Sequence, residues 1–158
     1  MKSVKVKPNW LNPVHLLALG FGSGAAPKAP GTCGTLAAVL IYWPLSHLTP
    51  EHYLLMILIT SVMGIYICGK TAKDLGVHDH GSIVWDEFVG FWITMIAAPV
   101  GWIWILVGFV LFRIFDIIKP WPISWIDKKV TGGFGIMLDD VVAGVMAAAV
   151  LQGLAWWL

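Results

Sequence analysis

Apolar residues in this chain come in long runs that contain almost no charge. The runs cover residues 36–48, 53–69, 88–115 and 141–158. Runs of this kind predict helices, and the lack of a polar face is typical of helices in a lipid bilayer. Several are shorter than the roughly 20 residues of a perpendicular span, so tilt or local thinning of the bilayer is expected. The pattern predicts an all-α, polytopic membrane helical bundle.

The third run contains Pro99 and Gly101, so it forms either two helices with a turn between them or one long helix. The distribution of positive charges decides between the two. If the chain turns at residues 99–101, all ten Lys and Arg residues fall on one side, which the positive-inside rule makes the cytoplasmic side. If residues 88–115 formed one helix, Lys70 and Lys128 would lie on opposite sides. We therefore predict about five membrane segments, with every carboxylate except Glu51 on the cytoplasmic side.

The amino terminus combines lysines at positions 2, 5 and 7 with a short apolar stretch, residues 10–21. Pro13 interrupts this stretch, and no small-residue cleavage site follows a clean apolar core, which argues against a signal peptide. The pattern predicts a short interfacial helix whose basic residues face anionic headgroups.

The overall composition supports a membrane protein and excludes several other classes. Hydrophobic residues make up 58% of the chain, and the mean hydropathy is +0.81. A net charge of +1 without a basic run argues against nucleic acid. Cys33 and Cys68 have no CxxC or Cys/His spacing, so we predict reduced thiols rather than a disulfide or a zinc site. A single domain covering residues 1–158 is expected.

A loop rich in glycine and proline, residues 22–35, precedes the first apolar run. It lacks the Gly-Lys-Ser/Thr ending of a Walker loop, but a helix amino terminus after glycines is a natural anion site. Lys28, Thr32 and Thr35 are therefore candidates for binding a substrate phosphate. The alternative is a rigid turn with Thr35 as the helix cap.

Two pairs of adjacent carboxylates stand at predicted helix beginnings. Asp86 and Glu87 precede the third run, and Asp139 and Asp140 follow a glycine-rich loop at residues 132–135. Neighbouring anions beside a low-dielectric region repel each other, so they either take up protons or need a cation. Helix capping alone is the alternative for each pair.

Arg113, Asp116 and Lys119 are spaced three apart and would form one polar stripe on a helix that ends before Pro120. Either Asp116 pairs with Arg113 as a structural ion pair, or Asp116 binds a metal while Arg113 and Lys119 hold a phosphate. Oxygen-only ligands favour Mg²⁺. His80, and less so His78, is a candidate acid or base.

Four segments carry a family resemblance. Residues 30–35 (PGTCGT), 80–90 (HGSIVWDEFVG), 113–120 (RIFDIIKP) and 135–144 (GIMLDDVVAG) together resemble, in order, the pattern of the bacterial phosphatidylglycerophosphatase A family. The resemblance implies a Mg²⁺-dependent lipid phosphatase of the bacterial inner membrane that converts phosphatidylglycerophosphate to phosphatidylglycerol, with its active site facing the cytoplasm. It places the catalytic and metal-binding roles on Asp86, Glu87, Asp116, Asp139 and Asp140.

Two questions stay open at the level of sequence. Water is the favoured nucleophile, with Glu87 or Asp86 as base, but an aspartyl-phosphate intermediate is the alternative. A small cation transporter and a non-enzymatic membrane scaffold are the competing functions. A transporter would place its carboxylates near the middle of the bilayer, whereas these acids flank the apolar runs.

Overall fold

The computed structural model describes residues 7–77 and 80–158; the predictions made for Lys2, Lys5, His78 and Asp79 lie outside these ranges. Within them the fold is all-α, without strands. The described residues form seven α-helices: α1 Pro13–Ala18, α2 Pro30–Leu45, α3 Pro50–Leu75, α4 Trp85–Thr94, α5 Trp102–Ile118, α6 Ile123–Lys129 and α7 Gly132–Trp157. A 3₁₀ segment, Gly20–Ala25, lies between α1 and α2. The predicted fold class is confirmed at the all-α level.

Local sequence signals explain most of the helix ends. Thr49 caps α3 by accepting a hydrogen bond from the backbone N–H of His52, with Pro50 in the first turn, and Gly76 ends α3 in a left-handed conformation. Helix α5 ends at Ile118, because Lys119 is left-handed and Pro120 cannot continue a helix. The break that we predicted near Pro99 is real, since α4 ends at Thr94 and α5 begins at Trp102.

Other boundaries differ from the sequence predictions. Residues 132–135 are not a loop, because α7 begins at Gly132 and places Asp139 and Asp140 well inside the helix. A β-carbon at Gly133 would overlap the carbonyl oxygen of Ile65 on α3, so Gly133 allows α7 to pack closely against α3. The alternative of Thr35 as a helix cap is wrong, because α2 already begins at Pro30. Helix α6 was not predicted at all.

Contacts between helices define their directions. The Tyr53 hydroxyl donates to the carbonyl oxygen of Trp92 at 2.6 Å, and the Trp85 indole N–H donates to the carbonyl oxygen of Thr60 at 3.1 Å, so α3 runs antiparallel to α4. The Gln152 side-chain amide donates to the carbonyl oxygen of Ala97 at 2.8 Å, so α7 runs parallel to α4. Helices α2, α4 and α7 therefore begin at one end of the bundle, where α3 and α5 finish.

Helix α4 forms the centre of the bundle. Nine of its ten residues are buried, and it packs against α2, α3, α5 and α7. At about 1.5 Å per residue it is only about 15 Å long. In the described part of the chain, α3 and α7, with 26 residues each, are the two helices long and apolar enough to be candidate membrane spans. Helices α2 and α5 have 16 and 17 residues.

Candidate active site

A pocket of about 310 Å³ lies at the end of the bundle where α2, α4 and α7 begin. The pocket is lined by the beginning of α2, the segment before α4, and parts of α4, α5 and α7, together with Lys119, the residue that follows α5. Its charged and titratable residues are all among those predicted from sequence: His80, Asp86, Glu87, Arg113, Asp116, Lys119, Asp139 and Asp140. The three acid- and base-bearing segments therefore converge on one pocket.

Asp86, Glu87 and Asp140 form the tightest cluster in the pocket. Each offers one carboxylate oxygen, and these oxygens all lie within 4.8 Å of one another. Asp86 and Glu87 come from the first turn of α4, whereas Asp140 comes from α7. A β-carbon at Gly90 would lie 2.9 Å from the backbone oxygen of Asp140, so the absence of a side chain at Gly90 allows the two helices to approach this closely.

This acidic triad has the chemistry of a site for a divalent cation. Asp86 and Asp140 are buried and Glu87 is half-buried, so three carboxyl groups share a poorly hydrated volume in which their negative charges would repel one another. One oxygen of Asp140, Oδ2, is buried and accepts no hydrogen bond from any described residue. A cation bound between the three carboxylates would compensate both the charge and this oxygen. The triad could therefore hold a metal ion.

Asp116 is not part of the triad, although it lines the same pocket. Its carboxylate contacts the Arg113 guanidinium one helical turn earlier on α5, and that guanidinium also lies 3.9 Å from Oε1 of Glu87. The ion pair that we considered as the structural alternative is thus present. It does not exclude a functional role, because Asp116 holds Arg113 next to the triad. The metal-binding role of Asp116 stays a prediction.

Asp139 also lies apart from the triad and pairs with Lys119. The Lys119 ammonium donates to Oδ2 of Asp139 at 3.0 Å and lies 3.8 Å from Oδ1 of Asp127. Burial alone would lower the pKa of Lys119, but the charge and hydrogen bond of Asp139, with smaller contributions from Asp140 and Asp116, outweigh it and raise that pKa above its usual value. Lys119 therefore stays a cation at the edge of the site.

The amino terminus of α2 closes the pocket on a further side. A β-carbon at Gly31 would lie 2.7 Å from Oε1 of Glu87 and 3.2 Å from both terminal nitrogens of Arg113. Sequence reasoning did not single out Gly31, although the Pro30-Gly31 pair was the signal for it. The three nearby candidates do not line the pocket: Lys28 is exposed, Thr32 is half-buried, and Thr35 is buried with its hydroxyl donating to the carbonyl oxygen of Gly31 at 2.9 Å.

His80 lines the pocket from the segment that leads into α4. Its Nδ1 accepts a hydrogen bond from the backbone N–H of Ser82 at 3.1 Å, which leaves Nε2 as the other ring nitrogen for exchange with a substrate. Two further cavities, of about 320 and 390 Å³, lie at the opposite end of the bundle near Tyr42, and no carboxylate lines them. The chemistry of the described residues is concentrated at one end.

The sequence profile of the phosphatidylglycerophosphatase A family matches residues 16–155, nearly the whole chain. The chain belongs to this family. It is 55% identical to the phosphatidylglycerophosphatase A of Escherichia coli (strain K12) over 141 residues, which cover 89% of this chain and 82% of that relative. It is 50% identical over 154 residues to the Haemophilus influenzae protein of the same name, covering 96% of this chain and 94% of that relative.

A more distant relative from Bacteroides thetaiotaomicron is 39% identical over 158 residues, covering 95% of this chain and 97% of that relative. It carries a provisional name as a phosphatidylinositol-3-phosphatase. No solved structure matches the chain. The resemblance predicted from the four motifs is confirmed, and with it the enzyme class: a phosphoric monoester hydrolase of phospholipid synthesis that acts as a phosphatidylglycerophosphatase.

Proposed function

We propose that the acidic pocket removes the terminal phosphate of phosphatidylglycerophosphate with the help of Mg²⁺ held by Asp86, Glu87 and Asp140. The observation that supports this proposal is the meeting of three carboxylates within 4.8 Å of one another in a pocket that also contains Arg113 and Lys119. A phosphomonoester is negatively charged and repels nucleophiles, so its hydrolysis needs positive groups next to both its bridging and its peripheral oxygens. The pocket combines a cation site with two fixed cations.

When bound, Mg²⁺ would neutralise charge on the phosphate oxygens that it contacts. The rest of the work falls to the chain. Arg113 presents a planar set of donors next to Glu87, and its Nε is buried without a hydrogen-bond partner among the described residues. That geometry suits recognition of two phosphate oxygens at once. Asp116 fixes the orientation of this guanidinium through their ion pair.

Lys119 would support the same phosphate from the other side of the pocket, with Asp139 setting its position. The first turn of α2 adds backbone N–H groups, because the N–H groups of Gly31 and Thr32 have no acceptor within the helix. The side chains of Lys28 and Thr32 stay candidates for the approach of the phosphate, whereas Thr35 would act only through the carbonyl oxygen of Gly31, to which its buried hydroxyl donates. Glu87 or Asp86 would accept the proton of the attacking water, and His80 would donate a proton to the leaving alkoxide, which departs as the alcohol.

We further propose that the chain forms one domain of five membrane segments, α2, α3, α4, α5 and α7, with the amino-terminal helix at the interface. The helix directions support this arrangement, because turns 46–49 and 95–101 share one end and contain no Lys or Arg. Exposed tryptophans at both ends also support it, with Trp121 and Trp125 near the pocket and Trp43 and Trp102 at the far end.

Helices α2, α4 and α5 are too short to cross a bilayer of full thickness. Either the bilayer is thinner around them, or the longer helices α3 and α7 shield their ends from lipid. In this arrangement the acyl chains of the substrate stay in the inner leaflet, and the headgroup reaches the pocket from the cytoplasmic side. The carboxylates then lie at one end of the bundle rather than at its middle. A cation transporter would require the opposite placement.

The test is phosphate release by the purified full chain in lipid–detergent micelles, with and without Mg²⁺. We expect turnover of phosphatidylglycerophosphate that stops when the divalent cation is chelated and resumes when Mg²⁺ is added back. Phosphatidylinositol 3-phosphate and phosphatidic acid serve as comparison substrates, the first because of the relative from Bacteroides thetaiotaomicron. Turnover that continues undiminished in chelator, or that prefers phosphatidylinositol 3-phosphate, would contradict the proposal.

A further inference from the structure

The segment before α4 is held by the amino-terminal region rather than by its own helix. Val84 precedes α4 without providing a side-chain cap, and its backbone N–H donates to the carbonyl oxygen of Ala18 at 2.8 Å. Ala18 is the last residue of α1, where the carbonyl oxygens have no N–H donor within the helix. This hydrogen bond therefore satisfies one backbone group at the end of α1 and one at the beginning of α4. Val84, its donor, lies two residues before Asp86.

Glycines of the 3₁₀ segment allow the amino-terminal region to pack closely against residues 82–88. A β-carbon at Gly20 would lie 2.7 Å from Cγ2 of Val84 and 2.8 Å from Cζ of Phe88, and one at Gly24 would overlap the carbonyl oxygen of Ser82. Val84 is fully buried. Any shift of the amino-terminal region therefore moves residues 82–84, and with them the first turn of α4.

The amino-terminal region is itself fixed to α3 through His15, a buried residue of α1. The backbone N–H of Asn9 donates to Nδ1 of His15 at 3.0 Å, so the proton of the neutral ring lies on Nε2. That Nε2–H donates to Oδ2 of Asp74 at 2.9 Å, and Lys70 donates to the same carboxylate at 2.7 Å. A continuous set of contacts runs from α3 through His15 and α1 to Val84.

We infer that the amino-terminal region, residues 9–25, positions the first turn of α4 for catalysis, and that His15 is a positioning residue for Asp86 and Glu87. His15 does not line the catalytic pocket and acts through Ala18 and Val84. The predicted interfacial helix thus has a second task beyond meeting lipid headgroups. This inference rests on the proposed function for its kinetic consequence, but its structural part does not.

The experiment compares three variants of the purified full chain in micelles. His15→Leu removes both hydrogen bonds, His15→Gln retains a donor toward Asp74, and His47→Leu is a matched control at the far end of the bundle, on the α2–α3 turn. Two quantities are measured: hydrogen–deuterium exchange in peptides covering residues 80–90, and kcat and KM for phosphatidylglycerophosphate. Thermal unfolding confirms that each variant is folded at the assay temperature.

For His15→Leu we expect faster exchange in residues 80–90 and a loss in kcat of about tenfold, with KM within about twofold, because a small displacement of catalytic groups is costly. His15→Gln should restore most of both values, and His47→Leu should match the unmodified chain. If His15→Leu does not fold, Asp74→Asn is the substitute, with the same expected direction and a smaller size.

Unchanged exchange and unchanged kcat in a folded His15→Leu would overturn the inference. A lower unfolding temperature with unchanged kcat would overturn it as well, since that result describes a purely structural contact. If the unmodified chain released no phosphate, the proposed function would fail, and the exchange measurement alone would still decide whether His15 holds the beginning of α4.

Discussion

The two carboxylate pairs look alike in sequence but differ in the structure. Asp86 and Glu87 both contribute oxygens to the triad, whereas Asp139 and Asp140 separate: Asp140 joins the triad and Asp139 pairs with Lys119. The reason is their position in the helices. Adjacent residues inside a helix point about 100° apart, so the pair on α7 faces two different neighbours. Asp86 and Glu87 are adjacent helical residues as well, but at the start of α4 one carboxylate oxygen of each still lies within 4.8 Å of the other.

The comparison teaches that adjacency in sequence is no measure of shared function. The two members of the α7 pair should respond very differently to the same change, while the α4 pair should respond as a unit. Four substitutions test this difference, in order of decreasing expected effect.

Asp140→Asn should abolish most activity. It removes a charged oxygen from the triad and leaves a buried amide facing Asp86 and Glu87. We expect kcat to fall by more than about 100-fold, because even the loss of a group that merely orients a metal ligand costs about 10- to 100-fold. Phosphate release at saturating Mg²⁺ measures this, and isothermal titration with Mn²⁺ should show weakened binding. Wild-type turnover in a folded Asp140→Asn chain would remove the basis of the proposed metal site.

Gly31→Ala should disturb the α4 pair from outside. The added methyl group would lie 2.7 Å from Oε1 of Glu87 and 3.2 Å from the Arg113 guanidinium, so both side chains must move. We expect kcat/KM to fall by about tenfold while the chain stays folded, since misplaced catalytic groups lose rate steeply. Steady-state kinetics test this prediction, and thermal unfolding measured in parallel shows whether the variant is folded. Gly153→Ala is the control, because open space surrounds that position.

Asp139→Asn should have a moderate effect of a different kind. The amide retains a hydrogen-bond acceptor for Lys119 but loses the charge, so the ammonium is held less firmly. We expect kcat/KM to fall by about fivefold, equivalent to roughly 1 kcal/mol, which is less than the roughly 1.5–3 kcal/mol of a hydrogen bond to a charged group because the amide oxygen still accepts from Lys119. The Mg²⁺ concentration for half-maximal activity should not change. A large shift in that concentration would place Asp139 with the metal ligands after all.

Asp127→Asn should change little. Asp127 is an exposed residue of α6 outside the pocket, 3.8 Å from Lys119, and exposed ion pairs contribute about 0–1 kcal/mol. We expect kcat/KM within about twofold of the unmodified value in the same assay. This variant sets the background against which the effect of Asp139→Asn is judged, because both carboxylates contact the same lysine. Equal losses of kcat/KM in Asp127→Asn and Asp139→Asn would show that the two carboxylates contribute equally to holding Lys119.

Much of the fold was predictable because its signals are local. The apolar runs, the break near Pro99 and the helix end before Pro120 each follow from the conformational limits of single residues or from composition. The boundaries of α7 were not predictable in the same way. Glycines at 132, 133 and 135 usually indicate a loop, and only the facing surface of α3, where Ile65 and Gly69 meet Gly133, shows that this segment is a closely packed helix.

The members of the candidate site were predictable as residue types, but their partners were not. The sequence shows where carboxylates and cations occur, whereas the grouping of Asp140 with Asp86 depends on the approach of α7 to α4 at Gly90. The pairing of Asp139 depends on a tertiary contact, because α5 brings the Lys119 ammonium to 3.0 Å from its carboxylate. His15 was assigned to an interfacial helix for the same reason, since nothing near it in sequence indicates Asp74.

Helix α4 has a consequence for how the protein tolerates sequence change. Because nine of its ten residues are enclosed by neighbouring helices, almost every substitution there must be absorbed by a second one elsewhere. Helix α3, by contrast, exposes Leu55, Ile59 and Val62, where one aliphatic side chain can replace another at little cost. Drift during evolution should therefore collect on the outer helices, while the short central helix changes only together with the residues that surround it.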